Sequence, residues 1–406
     1  MDVRAAVADA HRREWGLVLA ATVRVAGDLD LAEECVQDAY VSALEAWERD
    51  GIPANTGAWL TTAARRKALD AHRRDKTMRG KLPMLLPDEP SDSVEEPDVI
   101  SDDRLRLVFT CCHPALAREA QVALTLRLVC GLTTVEIADA FLVPEATMAA
   151  RVTRAKKKIA SARIPYRVPP AAELPDRLDA VLTVIHLVFT TGHTAPQGAD
   201  LVRVDLVERA RHLTGILRQL MPDEREVLGL LALTTLTDAR RATRTDGDGR
   251  LLLLSEQDRD RWDRAAVDEG IALVRLSLRG GRPGRFALQA AIAALHAGAP
   301  TYADTDWAQI RTLYDLLLKA WPSPVVALNR AVAVSMVDGP EAGLAELAQL
   351  EVAGRLSSYR YLAATKADLL RQLGRAQEAA LAYETALRLT ESEPERAFLQ
   401  GRIDAL

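Results

Sequence analysis

Thr147, Arg151, Arg154 and Lys158 recur at helical spacing in "VPEATMAARVTRAKKKI", residues 143–159. Hydroxyl and guanidinium groups in such a row can meet phosphate oxygens and base edges. Wound as a helix, the stretch turns Met148, Val152, Ala155 and Ile159 onto a buried stripe, with the cationic row beside it. From Arg104 to Arg167 there are eleven basic and four acidic residues, and residues 151–167 alone hold seven positives and no acid. The 406-residue chain as a whole has a net charge of -5, so nucleic-acid contact must come from local patches. Thr147 and Arg151 are placed to approach base edges, while Arg154, Lys157 and Lys158 neutralise phosphates. Phosphate contacts supply affinity that falls with salt and carry no sequence information.

Other candidate chemistry is weaker. "CCHP", residues 111–114, suggests zinc with Cys130 as a further ligand, but adjacent cysteines fit poorly around one tetrahedral ion. Buried packing as small hydrophobes is the expectation for Cys111 and Cys112. His186 and His193 stand seven apart among apolar residues, with no acid or nucleophile motif beside them, and are expected to be structural. "RGGRPGR", residues 279–285, lacks the strand-turn-helix context of a phosphate loop. No catalytic residue, metal or cofactor is expected.

The elements that position the cationic row follow from local signals. In "GLTTVEIADAF", Thr133 and Glu136 have the spacing of a capping box, and Val135, Ile137, Ala138 and Phe141 supply a buried side. A tight turn follows, with Pro144 suited to the first position of the next helix. Two short helices joined in this way make a helix-turn-helix. Residues 87–103, "PDEPSDSVEEPDVISDD", hold eight acids, no base and three prolines, the composition of an extended linker.

Aromatics at 4% and abundant alanine favour packed helices over sheet, so an all-α chain is expected. "EAGLAELAQL" (341–350) aligns with "EAALAYETAL" (378–387) at an offset of 37, near the period of tetratricopeptide-like helix pairs. Four cysteines, no apolar stretch long enough to span a membrane, and an N-terminus without an apolar core segment predict a cytoplasmic protein.

An earlier module completes the pattern. "GDLDLAEECVQDAYVSALEAW" (27–47) sets an apolar stripe of Leu31, Cys35, Ala39 and Ala43 against an acidic side. The loop "ERDGIPANTGA" then leads into "WLTTAARRKALDAHRRDKTMR", with eight basic residues and two acids from Arg65 to Lys81. An acidic helix, a polar loop opening on a tryptophan, a basic helix, an acidic linker and a helix-turn-helix occur in that order. The order resembles extracytoplasmic-function sigma factors of bacterial RNA polymerase, and the remaining chain resembles the tetratricopeptide-like extension of one sigma subgroup. One departure is that Ala149 and Ala150 stand where many relatives have Lys-Ser, leaving fewer side chains to read bases.

The resemblance implies five segments: region 2 (1–82), an acidic linker (83–103), region 4 (104–166), a helical extension domain (167–305) and tetratricopeptide-like repeats (306–406). It implies docking on the clamp of core RNA polymerase through Asp28, Glu33, Glu34, Gln37, Asp38 and Trp47, with Gln37 and Asp38 foremost. It implies contact with the -10 element of promoter DNA by Asn55, Trp59, Thr62, Arg65, Arg66, Lys67, Arg73 and Arg74. The loop Gly51–Ala58 would receive a flipped base, and Trp59 would pack beneath it, wedge at the fork or serve as a core anchor. Thr147, Arg151, Arg154, Lys157 and Lys158 would read the -35 element, and the linker would run near the RNA path. Catalysis would belong to the polymerase, and the extension would fold back on the DNA-binding modules, contact polymerase, or bind a signal protein or small molecule. Competing readings are a helix-turn-helix regulator that acts without polymerase docking, and an adaptor or an enzyme seated in residues 171–300.

Overall fold

The computed structural model describes residues 2–79, 99–141, 143–170, 172–195, 197–198, 201–354 and 356–406. They form two compact units, Met1–Leu187 and Val188–Leu406. The described residues are helical throughout except for turns and one pair of two-residue strands, as the composition predicts.

In the first unit, α1 (Val3–Ala26) packs against α2 (Leu29–Asp50) and α3 (Thr56–Arg79) on one side. Across from them lie α4 (Val99–Cys111) and a π-helical turn (Thr125–Val129) that continues α5 (Arg118–Leu124). Enclosed from both sides, α1 buries six consecutive residues, Val18–Val23. A helix apolar all round belongs in the middle of a core. Gly27 ends α1 with a left-handed φ of 67°, and Asp28 starts α2 at once by accepting the Asp30 and Leu31 N–H groups, each at 2.9 Å.

The helix-turn-helix is α6 (Thr134–Phe141) and α7 (Glu145–Ser161). The predicted capping box forms: Thr133 N–H donates to Glu136 Oε2 at 2.6 Å, and Glu136 N–H to Thr133 Oγ1 at 3.2 Å. Pro144 stands one position before α7, where its carbonyl accepts from Thr147 and Met148. The predicted stripe Met148, Val152, Ala155 and Ile159 is buried, but Val135 is exposed, outside the part of α6 that Ile137 and Ala138 bury. α8 (Leu174–His193) runs from this unit into the next.

Two expectations change. The acidic linker does not stay extended to residue 103: Val99–Asp103 begin α4, and Asp103 is buried between Arg24 (3.7 Å) and Arg106 (3.1 Å). The remainder, residues 80–98, with its expected course near RNA, lies outside the described residues. The two modules flanking the linker are not separate bodies but share the core around α1.

The second unit comprises Val188–Leu406. α10 (Arg225–Asp238) lies against α9 (Val204–Leu220), α11 (Arg264–Ser277) and α12 (Arg285–Gly298). A turn forms at 246–249, with Asp246 Oδ1 accepting from Asp248 and Arg250 N–H. The "RGGRPGR" segment ends at the start of α12, whose Phe286 and Ala287 N–H groups donate to the Glu226 carboxylate at 2.9 and 3.1 Å. A protein carboxylate therefore holds the place a phosphate would need.

α13 (Trp307–Ala320) is followed by α14 (Pro324–Asp338), α15 (Pro340–Val352), α16 (Arg360–Gln372), α17 (Ala376–Arg388) and α18 (Glu393–Asp404). The pair α14–α15 recurs as α16–α17 at an offset of 36, with Gly343 and Leu347 matched by Ala379 and Tyr383, all four buried. Cores pass from one pair to the next, as in helical solenoids.

Gly229 on α10 faces α12 so closely that a Cβ would lie 2.5 Å from Ala287 N. Gly229→Ala is expected to cost about 1–3 kcal/mol by overpacking. Urea unfolding should show this as a lower midpoint for the second unit, with the first unit's transition unmoved.

Candidate polymerase and nucleic-acid interfaces

The acidic helix divides its predicted residues among three environments. Glu34, Gln37 and Asp38 are exposed on one face of α2, as is Asp30. Val41, one turn beyond Gln37, is 59% exposed in the middle of that face. An apolar centre ringed by charge is the usual make-up of a docking surface. Sequence reasoning missed Val41, although its i+4 spacing from Gln37 was the available signal. Asp28 is exposed and caps α2. Trp47 is a correction: it is only 2% exposed, because the last turn of α2 packs on α3, and its ring meets Trp59 edge-on at 5.7 Å. A partner cannot touch Trp47 in this conformation.

Glu33 is the second correction. Expected on the solvent side, it is 6% exposed. Lys156 Nζ on α7 reaches Glu33 Oε2 at 2.6 Å and Asp30 Oδ1 at 2.7 Å, and Arg127 of the π-helical turn completes an ion pair with Glu33. Burial alone would lower the Lys156 pKa, but the hydrogen bonds it donates to the Asp30 and Glu33 carboxylates, together with their charges, outweigh burial and raise the pKa. Neither cation had been singled out from sequence, because helical spacing says nothing of which distant helix a lysine will meet.

The basic helix starts at the loop. Asn55 Oδ1 accepts the Ala58 N–H at 2.9 Å, so this predicted DNA contact also caps α3. Trp59 is half-buried against Trp47, which makes it an anchor of the helix start. Thr62, Arg66, Arg73 and Arg74 are exposed. Lys67 is half-buried, 3.9 Å from Asp38, so the predicted acidic and basic surfaces adjoin. Arg65 leans inward, its Nε 3.4 Å from Ala21 O, with its pKa lowered by burial and then by the charge of Arg24.

On α7, Thr147, Arg154, Lys157 and Lys158 are exposed and Arg151 is half-buried. Arg151, Arg154, Lys157 and Lys158 have no carboxylate partner among the described residues. The helix thus sorts its cations, with Lys156 turned inward and the others left for an external anion. The cysteines pack as expected: Cys111, Cys112 and Cys130 are buried thiols, with Cys112 Sγ 3.4 Å from Thr125 Oγ1. His193 is buried on the Phe189 ring, and burial pushes its pKa down to about 2. No helix among the described residues is long and apolar enough to cross a membrane.

Residues 10–77 match the family model for sigma-70 region 2, and residues 106–159 match the model for sigma-70 region 4. The chain belongs to the sigma-70 family. Its regions are of the extracytoplasmic-function type, followed by a helical C-terminal extension. Every residue discussed on α2, α3 and α7 lies inside one of the two matched regions of the sigma factor. Residues 177–278 match a family of unknown function (DUF6596). An uncharacterized protein of Rhizobium meliloti is 43% identical over 394 residues, covering 96% of this chain and 93% of its own. The sigma-70 family is not catalytic.

If Trp47 is core and Glu34 is surface, their alanine variants should separate. Trp47→Ala is expected to cost about 3–5 kcal/mol of the first unit's stability, and Glu34→Ala less than about 0.5 kcal/mol. Urea unfolding followed by circular dichroism measures both.

Proposed function

We propose that this chain is an alternative sigma factor that docks on core polymerase through the exposed face of α2, opens the -10 element along α3, and grips the -35 element with α7. The observation that carries the reading is the placement of both matched regions on surfaces of opposite charge. An acidic face with an apolar centre at Val41 suits a basic protein partner, and cation rows on α3 and α7 suit DNA. A regulator working without polymerase would have no use for the α2 face. The loop Gly51–Ala58 receives a base flipped from the -10 element, and contacts with the loop must offset an unstacking cost of roughly a few kcal/mol.

The extension governs this activity. Its stacked helix pairs support a tetratricopeptide-like reading. A cleft of about 300 Å³ lined by Tyr302, Met336, Tyr361, Asp368, Tyr383 and Phe398 is of a size to receive a signal molecule.

Purified core polymerase with a library of upstream fragments tests the reading: new transcripts should start only when the protein is present. Their absence, together with no binding to core enzyme by full-length chain or by a chain ending at residue 187, would end it. In the same assay, the chain ending at residue 187 is expected to bind core yet give a different transcript yield; equal yields would remove the control role. The double variant Lys157→Ala, Lys158→Ala should weaken DNA binding similarly across sequences and shallow the log-log salt dependence by about two.

A further inference from the structure

A second cleft in the extension shares Tyr302, Met336 and Asp368 with the one given to a signal molecule. We infer that this second cleft takes an uncharged planar heteroaromatic ring with hydrogen-bond donors and acceptors on its edge. The inference rests on the signal-binding role proposed for the extension and names the chemistry of the ligand. Three observations carry it.

The first is the wall of rings. The cleft has a volume of about 550 Å³, within the range of small-molecule sites. Trp307 meets His296 edge-on at 5.1 Å and Tyr302 edge-on at 5.7 Å, and Tyr314 adds a fourth ring. Four of the chain's seven tyrosines line one cleft or the other, in a sequence where aromatics are only 4%. Such a surface suits a flat ring, which can stack or meet it edge to face.

The second is charge balance. Every ionic side chain that lines either cleft is already paired: Arg360 with Glu395 at 2.7 Å, Arg371 with Asp368 at 2.7 Å, and Arg402 with Glu256 at 3.0 Å. His296 is neutral at pH 7, because burial and then the charges of Arg240 and Arg259 push its pKa down to about 4. An ionic ligand would have to break one of these pairs to find a counter-charge, whereas an uncharged one leaves all three intact.

The third is the set of polar groups left uncommitted. The Tyr314 hydroxyl and the Asn329 amide make no hydrogen bond to another described residue, and the Tyr302 hydroxyl has only the Met336 thioether, at 4.0 Å. Burial pushes the Tyr314 pKa up to about 12, so its hydroxyl keeps its proton. Hydroxyl and amide groups both donate and accept, which matches a ring edge that does the same. An aliphatic ligand would cover these groups without satisfying them. The walls also come from two places: Leu253, Leu254 and Ser255 lie in the stretch between α10 and α11, and Trp307, Tyr314 and Asn329 on α13 and α14. A bound ring therefore ties that stretch to the repeats.

The test uses the full-length chain without polymerase. Three uncharged probes, adenosine, guanosine and riboflavin, are compared with cationic phenethylamine and aliphatic cyclohexanol by isothermal titration calorimetry. At least one of the three should bind about tenfold tighter than either control. Tyr314→Phe, which removes only the hydroxyl, and Asn329→Ala, at an exposed side chain, should each weaken that binding by about three- to tenfold. The bound probe should also slow amide exchange at Leu253 and Leu254. No preference over the controls, tighter binding of phenethylamine or cyclohexanol, or affinity unmoved by both substitutions would overturn the inference. Equal transcript yields from the full-length chain and the chain ending at residue 187 would instead remove the signalling role, whatever the probes bind.

Discussion

Helix α1 has no solvent side between Val18 and Val23, and the first unit is organised around that fact. Two faces of a helix can be dry only if different elements cover each. Here α2 and α3 supply one cover, and α4 with the π-helical turn supplies the other. Small residues make this feasible: Ala20 and Ala21 let neighbours close in, and Gly16 admits the Val129 carbonyl. Modules that would look independent on either side of an acidic segment are thereby drawn onto one core. The burial of Glu33, the ends of Asp103 and the path of Tyr166 all follow from that closeness.

Charge in this unit is divided rather than neutralised. Acids gather on α2 and cations on α3 and α7, and the two signs meet mainly where helices touch, at Lys67 with Asp38 and at Lys156 with Asp30 and Glu33. The surface pair is worth little in water, whereas the buried one is sensitive to the loss of either partner. On α7, Arg154, Lys157 and Lys158 keep no carboxylate partner among the described residues, which a freely folding monomer does not need. Such surfaces make sense as places where a basic protein and a polyanion attach.

The second unit solves its polar problem differently. Glu226 closes the N-terminus of α12, Arg259 donates to the carbonyls of His296 and Ala299, and Trp262 donates to Thr243. These bonds secure the long irregular stretch between α10 and α11, where no helix could satisfy its own backbone. Beyond it the chain settles into repeated helix pairs, each burying what its predecessor leaves open. Aromatic residues, scarce in the chain, collect around the cleft between that stretch and the repeats.

The amino-acid sequence by itself determined the helical class, the capping box at Thr133 and Glu136, the buried stripe of α7 and the outward cations beside it. Each of these depends on spacing within one helix, which the 3.6-residue period makes legible. The helix pairs recur at an offset of 36, one residue from the 37 of the sequence alignment, which set Leu347 against exposed Glu384 instead of buried Tyr383. Tertiary structure alone decided the fates of Glu33, Trp47, Val135 and Lys156. Spacing shows that a residue lies on a given side of its helix, but not whether another helix will cover that side. The same limit let the end of the acidic segment pass as linker: Asp103 is buried between Arg106 of its own helix and Arg24, far away in sequence, and only the tertiary structure brings Arg24 to it.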